Sequence, residues 1–171
     1  MKINPKDVFL HYLKQLQHLL TVIESHQQGG LDIFASSLQA DMLPFAQQVR
    51  TTANFALRAC CPLANLPVLS FDNDQLNWQG LGLQISQTIA HIQQIDDAAF
   101  NSQNASLLSE KAGFSDVLLP ADEFLSLYTL PNFFFHLSMV YAIARQQGVP
   151  VSKGDFDGIH DYPVGFSFVS E

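Results

Sequence analysis

One histidine stands inside the most apolar stretch of the chain. His136 lies in Leu130-Pro131-Asn132-Phe133-Phe134-Phe135-His136-Leu137-Ser138-Met139-Val140-Tyr141-Ala142-Ile143-Ala144, a run that reads as one helix ending at Gly148. An imidazole placed there has three ordinary uses: metal ligand, general base, or buried polar group satisfied by hydrogen bonds. Its helix face also carries Thr129, Asn132, Met139, Val140 and Ile143, so Asn132 sits one turn before it. Ser138 falls on a different face and makes a poor nucleophile–base pair with His136. The GxSxG, P-loop, GxGxxG and CxxC signatures are absent. Cys60 and Cys61 are adjacent in a helical pattern, where successive side chains diverge by about 100°. They read as a core thiol and a margin thiol rather than a redox pair.

Composition narrows the classes. A chain of 171 residues with 47% hydrophobic residues, 14 of them Phe, has enough apolar side chain for one domain over 1–171. The formal charge is −8, with only eight Lys and Arg, scattered singly. Phosphate backbones and anionic lipid need clustered cations, so neither nucleic acid nor a membrane surface is an expected partner. The N-terminus has no signal-peptide pattern, and no unbroken apolar run reaches the ~20 residues of a span. A cytoplasmic protein is the expectation.

These side chains need elements to position them. Phe9, Leu13, Leu16, Leu20 and Ile23 form an amphipathic stripe that predicts a helix over about Lys6–Gln28, stopped by Gly29-Gly30. His11 and His18 fall on the flank away from the stripe, at solvated or margin positions, and His26 in its last turn. A second helix is expected from Asp41, as N-cap, to about Cys61, with Pro44 in the first turn and Pro62 as terminator. Phe45, Gln48, Thr52, Phe55 and Ala59 share one face of it, which points Gln48 toward the core; Arg50 and Arg58 read as surface residues. A third helix is expected from the Ser70–Asp74 caps to about Ile95, with Gly80 and Gly82 marking a close approach. Residues 96–120 are too long for a structureless loop and suit two short strands. Asp122-Glu123 open the last helix. Either that helix runs through Pro131 and loses a hydrogen bond there, or Thr129 caps a new one. The tail 149–171 carries Phe156, Ile159, Tyr162, Phe166 and Phe168 and is expected to dock on the bundle or on a partner chain.

Two motifs carry a resemblance. Asp41-Met42-Leu43-Pro44-Phe45-Ala46-Gln47-Gln48-Val49 and Leu130-Pro131-Asn132-Phe133-Phe134-Phe135-His136, running on to Gly148-Val149-Pro150-Val151-Ser152-Lys153-Gly154-Asp155-Phe156-Asp157-Gly158, resemble an uncharacterised bacterial domain-of-unknown-function family. That family is grouped with the DinB/YfiT-like bundles. The resemblance spans nearly the whole chain and implies an all-α, up-down-type four-helix bundle with a docked C-terminal tail, commonly a homodimer. Many members of the superfamily bind a divalent metal, zinc or nickel, through three histidines. By resemblance those positions fall on Gln48, Asn132 and His136, with Gln47 as a one-residue alternative to Gln48.

Two amides and one imidazole are a poor donor set for zinc or nickel. The expectation is therefore no cofactor, with His136 as the sole candidate metal ligand. Gln48, Asn132 and His136 then form either a buried hydrogen-bond network or the polar part of a small-ligand pocket. The resulting reading is a small-ligand-binding or structural dimer. The alternative is a metal-dependent transferase or hydrolase acting through His136 on a small molecule such as a thiol conjugate.

Overall fold

The computed structural model describes residues 4–26, 33–101, 107–163, 166–167 and 169. The Gly29-Gly30 stop and Phe168 lie outside these residues. Four long helices share one core: α1 (Pro5–His26), α2 (Phe45–Leu63), α3 (Trp78–Gln94) and α4 (Ala121–Gln146). A β-hairpin of β1 (Leu107–Ala112) and β2 (Ser115–Pro120) precedes α4, and a short α5 (Lys153–Asp157) follows it. The hairpin is antiparallel, with Leu108 opposite Leu119 and Glu110 opposite Val117, as expected for 96–120. Phe9, Leu13, Leu16, Phe45, Leu57, Leu81, Ile85, Phe124 and Phe133 lie in the fully buried core.

Side-chain pairings set the helix directions. Lys6 Nζ donates to Ile95 O at 2.7 Å and Gln17 Nε2 to Ser86 Oγ at 2.9 Å, so α1 and α3 are antiparallel. Arg50 faces Gln84 and Cys61 faces His91, so α2 and α3 are parallel. Phe55 faces both His136 and Tyr128, and Arg58 bonds Tyr128, so α2 and α4 are antiparallel. The directions run up-down-down-up rather than in simple alternation. Parallel neighbours need a connection that travels back along the bundle. The extended segment 64–77 provides it, since extended chain covers roughly 3.3–3.6 Å per residue.

This crossover moves the start of α3. The sequence placed its caps at Ser70–Asp74; instead Asn77 Oδ1 accepts from Gly80 N at 2.8 Å and caps the helix at Trp78. Asp72 and Gln75 stay in the crossover, tied down by buried polar residues. Arg50 donates to Gln84 Oε1 at 3.1 Å and to Gln75 O at 2.8 Å. Gln84 Nε2 in turn donates to Asp72 Oδ1 at 2.7 Å. Arg50 is therefore only 7% exposed, a correction to its surface assignment: the returning chain covers it. Gly80 is required by the same approach. A Cβ there would lie 2.3 Å from Gln75 O, whereas one at Gly82 would meet nothing within 4 Å.

The N-terminal ends of α2 and α4 also differ from expectation. Asp41 does not cap α2; Pro44, extended at ψ 163, precedes a helix that begins at Phe45. Pro62 lies inside the last turn of that helix rather than beyond it. α4 runs continuously through Pro131, so Thr129 does not start a new helix. Its turn Phe124–Thr129 is a π-helix, in which Leu130 N donates to Leu125 O, five residues back. Proline cannot donate, and the wider turn ahead of it accommodates the break. At 26 residues, α4 is long and apolar enough to cross a membrane by length and composition, beyond the shorter runs counted in the sequence. Here it packs along α2 as a core helix.

The first part of the tail is docked by polar contacts as well as by Phe156, whereas Ile159 and Phe166, also expected to dock, are 73% and 50% exposed. Ser152 and Asp155 form a reciprocal capping box for α5. His18 Nε2 meets Asp155 Oδ1 at 2.9 Å, and His11 Nε2–H donates to Asp157 O at 2.7 Å. These two α1 histidines, expected at a solvated or margin position, bind the tail. Asp157 is 6% exposed and accepts from Ile159 N, His160 N and the His160 ring. Burial alone would push its carboxyl up; the His160 and Ile159 donors outweigh burial and bring it to about 2.

Two predictions follow from this packing. Gly80→Ala destabilises the fold by about 1–3 kcal/mol through overpacking, while Gly82→Ala is neutral or stabilising by up to ~1 kcal/mol. Urea midpoints of the two variants report the difference. A carboxyl depressed to about 2 contributes stability above its unfolded pKa near ~4 and loses it as pH falls through about 2. Asp157→Asn removes that component, so its unfolding midpoint falls less than wild type between pH 5 and 2.

Candidate functional site

The site is built where α2 crosses α4. Gln48 lies on α2 and is 1% exposed. Its Nε2 donates to Leu43 O at 3.1 Å, which fixes the amide orientation. Its Oε1 is thereby left to accept from His136 Nδ1 at 2.7 Å. The imidazole carries its proton on Nδ1, and Nε2 keeps a lone pair. Among the described residues Nε2 has no hydrogen-bond partner, and Thr88 Oγ1 is their one sealed, unpartnered side-chain polar atom. Nε2 therefore reaches water.

The surroundings hold His136 neutral. Its ring stacks on Phe55 at 5.5 Å with 18° between planes, and Phe135 packs edge-on at 5.2 Å. Burial, reinforced by the Arg58 charge, lowers its pKa to about 4. Thr52, on the next turn of α2, donates back to Gln48 O at 2.8 Å and is itself sealed.

Asn132 does not join this pair. Its Nδ2 donates to Tyr128 O at 2.7 Å, one turn back along α4. Pro131 and the π turn disturb the backbone ladder at this point, and the Asn132 amide bonds a carbonyl beside the disturbance. The three positions singled out in the sequence thus divide into a Gln48–His136 pair and a separate, half-buried Asn132.

Arg58 belongs to this face and was missed by the sequence reading. It lies over the Phe55 ring at 4.4 Å, with Nη2 donating to Tyr128 Oη at 2.7 Å. Its Nε donates to Glu110 Oε2 at 3.2 Å and Nη2 to Lys111 O at 3.0 Å, which ties the hairpin to α2. The sequence signal was slight: a cation one turn after Phe55 on the same helix. Its partners lie 52 and 70 residues away, beyond the reach of periodicity.

The other candidates are structural. Cys60 and Cys61 are both fully buried, so neither is a margin thiol, and burial pushes both thiols up. Cys61 Sγ lies 3.7 Å from His91 Nε2, and the His91 ring packs edge-on against Phe71. Trp78 packs with Phe34 and Phe45. A surface groove between α1 and α3, lined by Gln17, Thr21, Glu24, Trp78 and Ser86, is separate from the His136 face.

These residues do not fit a tight zinc or nickel centre. Among the described residues no three His, Cys, Asp or Glu side chains come together to hold a metal ion. The Nδ1–Gln48 bond is of the kind that orients metal-bound imidazoles, but it leaves one nitrogen, Nε2, to offer. Gln48 Oε1 is consumed by His136, and the Asn132 amide is bonded to its own helix.

A mostly helical fold with this order of elements is shared with known proteins. The chain belongs to a domain-of-unknown-function family, DUF1993, whose model matches residues 6–157. Among solved structures it is similar to the crystal structure of a DinB family member protein from Shewanella denitrificans. The two are 23% identical over 93% of this chain and 92% of that one, with a TM-score of 0.79. That likeness establishes a DinB-like fold. No curated protein matches the chain.

The neutral pair has a testable energy. Gln48→Met leaves the buried Nδ1–H without an acceptor and costs about 1–3 kcal/mol; adding His136→Phe recovers most of it. Chemical denaturation of the single and double variants checks this cycle. A base held near 4 stays unprotonated in the fold while the unfolded chain takes a proton near ~6.5. Wild type therefore loses stability as pH falls from about 6.5 to about 4, and its His136 ring shifts in NMR stay constant from pH 8 to 5.5.

Proposed function

We propose that this chain is a DinB-like four-helix bundle whose metal centre has been replaced by a neutral amide–imidazole pair, serving a small-ligand-binding or structural role as a cytoplasmic homodimer. One observation carries the reading: the hydrogen bond from His136 Nδ1 to Gln48 Oε1, which occupies two of the three superfamily positions with each other. The third, Asn132, is bonded to its own backbone. A neutral imidazole with Nε2 open to water is a hydrogen-bond acceptor beside the aromatic rings of Phe55 and Phe135. It suits a ligand that brings an N–H or O–H donor.

An enzyme of the superfamily's metal-dependent kind is the competing reading. It is favoured by the same open Nε2, which is both a ligand and a base. Metal content separates the two. Protein purified without a His-tag or chelator, then incubated with zinc, nickel and manganese, is expected to carry well under one metal per chain by elemental mass spectrometry. About one metal per chain, lost in His136→Ala, would overturn the proposal in favour of the enzyme.

A further inference from the structure

Two residues on the α1–α3 side of the bundle have no local explanation, and both line one groove. Gly82 lies inside α3, where glycine weakens a helix relative to alanine. Gly80 is demanded by Gln75, but a Cβ at Gly82 would meet nothing within 4 Å, so packing does not ask for glycine there. Glu24 lies in the last turn of α1, where the helix dipole disfavours an anion. It is exposed and has no hydrogen bond or ion pair to another described residue. Between them lies a groove of about 190 Å³.

The chemistry of its walls selects a cation. Among the described residues Glu24 is the one charged side chain in the lining, and the chain as a whole carries −8. The two hydroxyls spend their protons within their own helices: Thr21 Oγ1 donates to Gln17 O at 3.1 Å and Ser86 Oγ to Gly82 O at 2.8 Å. Gln17 Nε2 donates to Ser86 Oγ at 2.9 Å, which braces the two helices across the groove. The remaining lone pairs of Thr21, Ser86 and Gln17 are acceptors. Trp78, held by Phe34 and Phe45, adds an aromatic wall. An ammonium group brings several donors and a positive charge, and an indole ring suits both that charge and an alkyl chain. The volume falls below the ~300–1,000 Å³ of drug-sized sites, so the molecule that fits is short.

We propose that this groove binds a small primary alkylamine in its protonated form, with Glu24 as the counter-charge, Thr21, Ser86 and Gln17 as hydrogen-bond acceptors and Trp78 as the aromatic wall. Gly82 keeps the space open. The groove lies apart from the α2–α4 face, so the proposal stands or falls independently of the metal measurement.

Trp78 is the sole tryptophan of the chain, so its fluorescence reports on this groove. The full chain is titrated with n-butylammonium chloride, against n-butanol as the neutral isostere and sodium chloride at matched ionic strength. NMR follows the backbone amides of Thr21 and Ser86 as a second readout. Wild type is expected to give a saturable change in both signals that neither control reproduces. Glu24→Gln, at an exposed and unpartnered position, keeps the fold and weakens binding by ~10-fold or more through loss of a charge-assisted contact. Gly82→Leu fills the groove and abolishes the response, while its urea midpoint stays at or above that of wild type. The proposal is overturned by no saturable response in wild type, by an equal response to butanol or sodium chloride, or by wild-type affinity in either Glu24→Gln or Gly82→Leu.

Discussion

The structure depends on satisfying the polar residues of α2. This helix packs against α3 on one side and α4 on the other, yet it carries Gln48, Arg50 and Thr52 in nearly complete burial. Each would cost free energy comparable to a lost hydrogen bond if left alone. Each has a partner from a different source: Gln48 from α4 and the preceding loop, Arg50 from α3 and the crossover, Thr52 from its own helix. Apolar burial drives these helices together without much preference for register. The polar contacts specify it, because a slip of one residue would strand several donors at once.

The up-down-down-up course follows from the same requirement. With α2 and α3 parallel, the segment 64–77 must run back along the bundle, and Arg50, Gln84 and Asp72 hold it there. Gly80 lets it pass close to α3. On the other side of α2, the π turn of α4 absorbs Pro131 and keeps Tyr128 and His136 both facing α2. Phe55 contacts both of those residues, with Arg58 over its ring. The site is therefore a product of helix packing, with each side chain held by a rigid neighbour rather than by a loop.

Its chemistry is correspondingly quiet. An imidazole held neutral by burial and by a nearby guanidinium, with one nitrogen spent on an amide, is a hydrogen-bonding group first. The charged contacts lie at the periphery, where the hairpin and the tail attach. Arg58 fastens one, and the His11, His18, Asp155 and Asp157 contacts fasten the other. The core sets the shape, and the peripheral polar ties decide how firmly the added elements stay in place.

Much of the architecture was legible in the sequence. The 4-3-4-3 stripe from Phe9 to Ile23, the inward face of Gln48 and the apolar run around His136 are local periodic signals, and helix periodicity survives folding. The motifs around Gln48 and His136 pointed to the family, and the pairing of those two residues was within reach of burial arguments alone. Tertiary structure decided what local pattern cannot encode. Asn132 was drawn to Tyr128 O by a π turn that no propensity announces. Arg50 was buried by a chain segment whose path depends on helix direction. Arg58 found Glu110 and Tyr128, and His11 and His18 found the tail, across separations of 52 to 146 residues. Periodicity reports which way a side chain points; only the packed fold determines what it meets there.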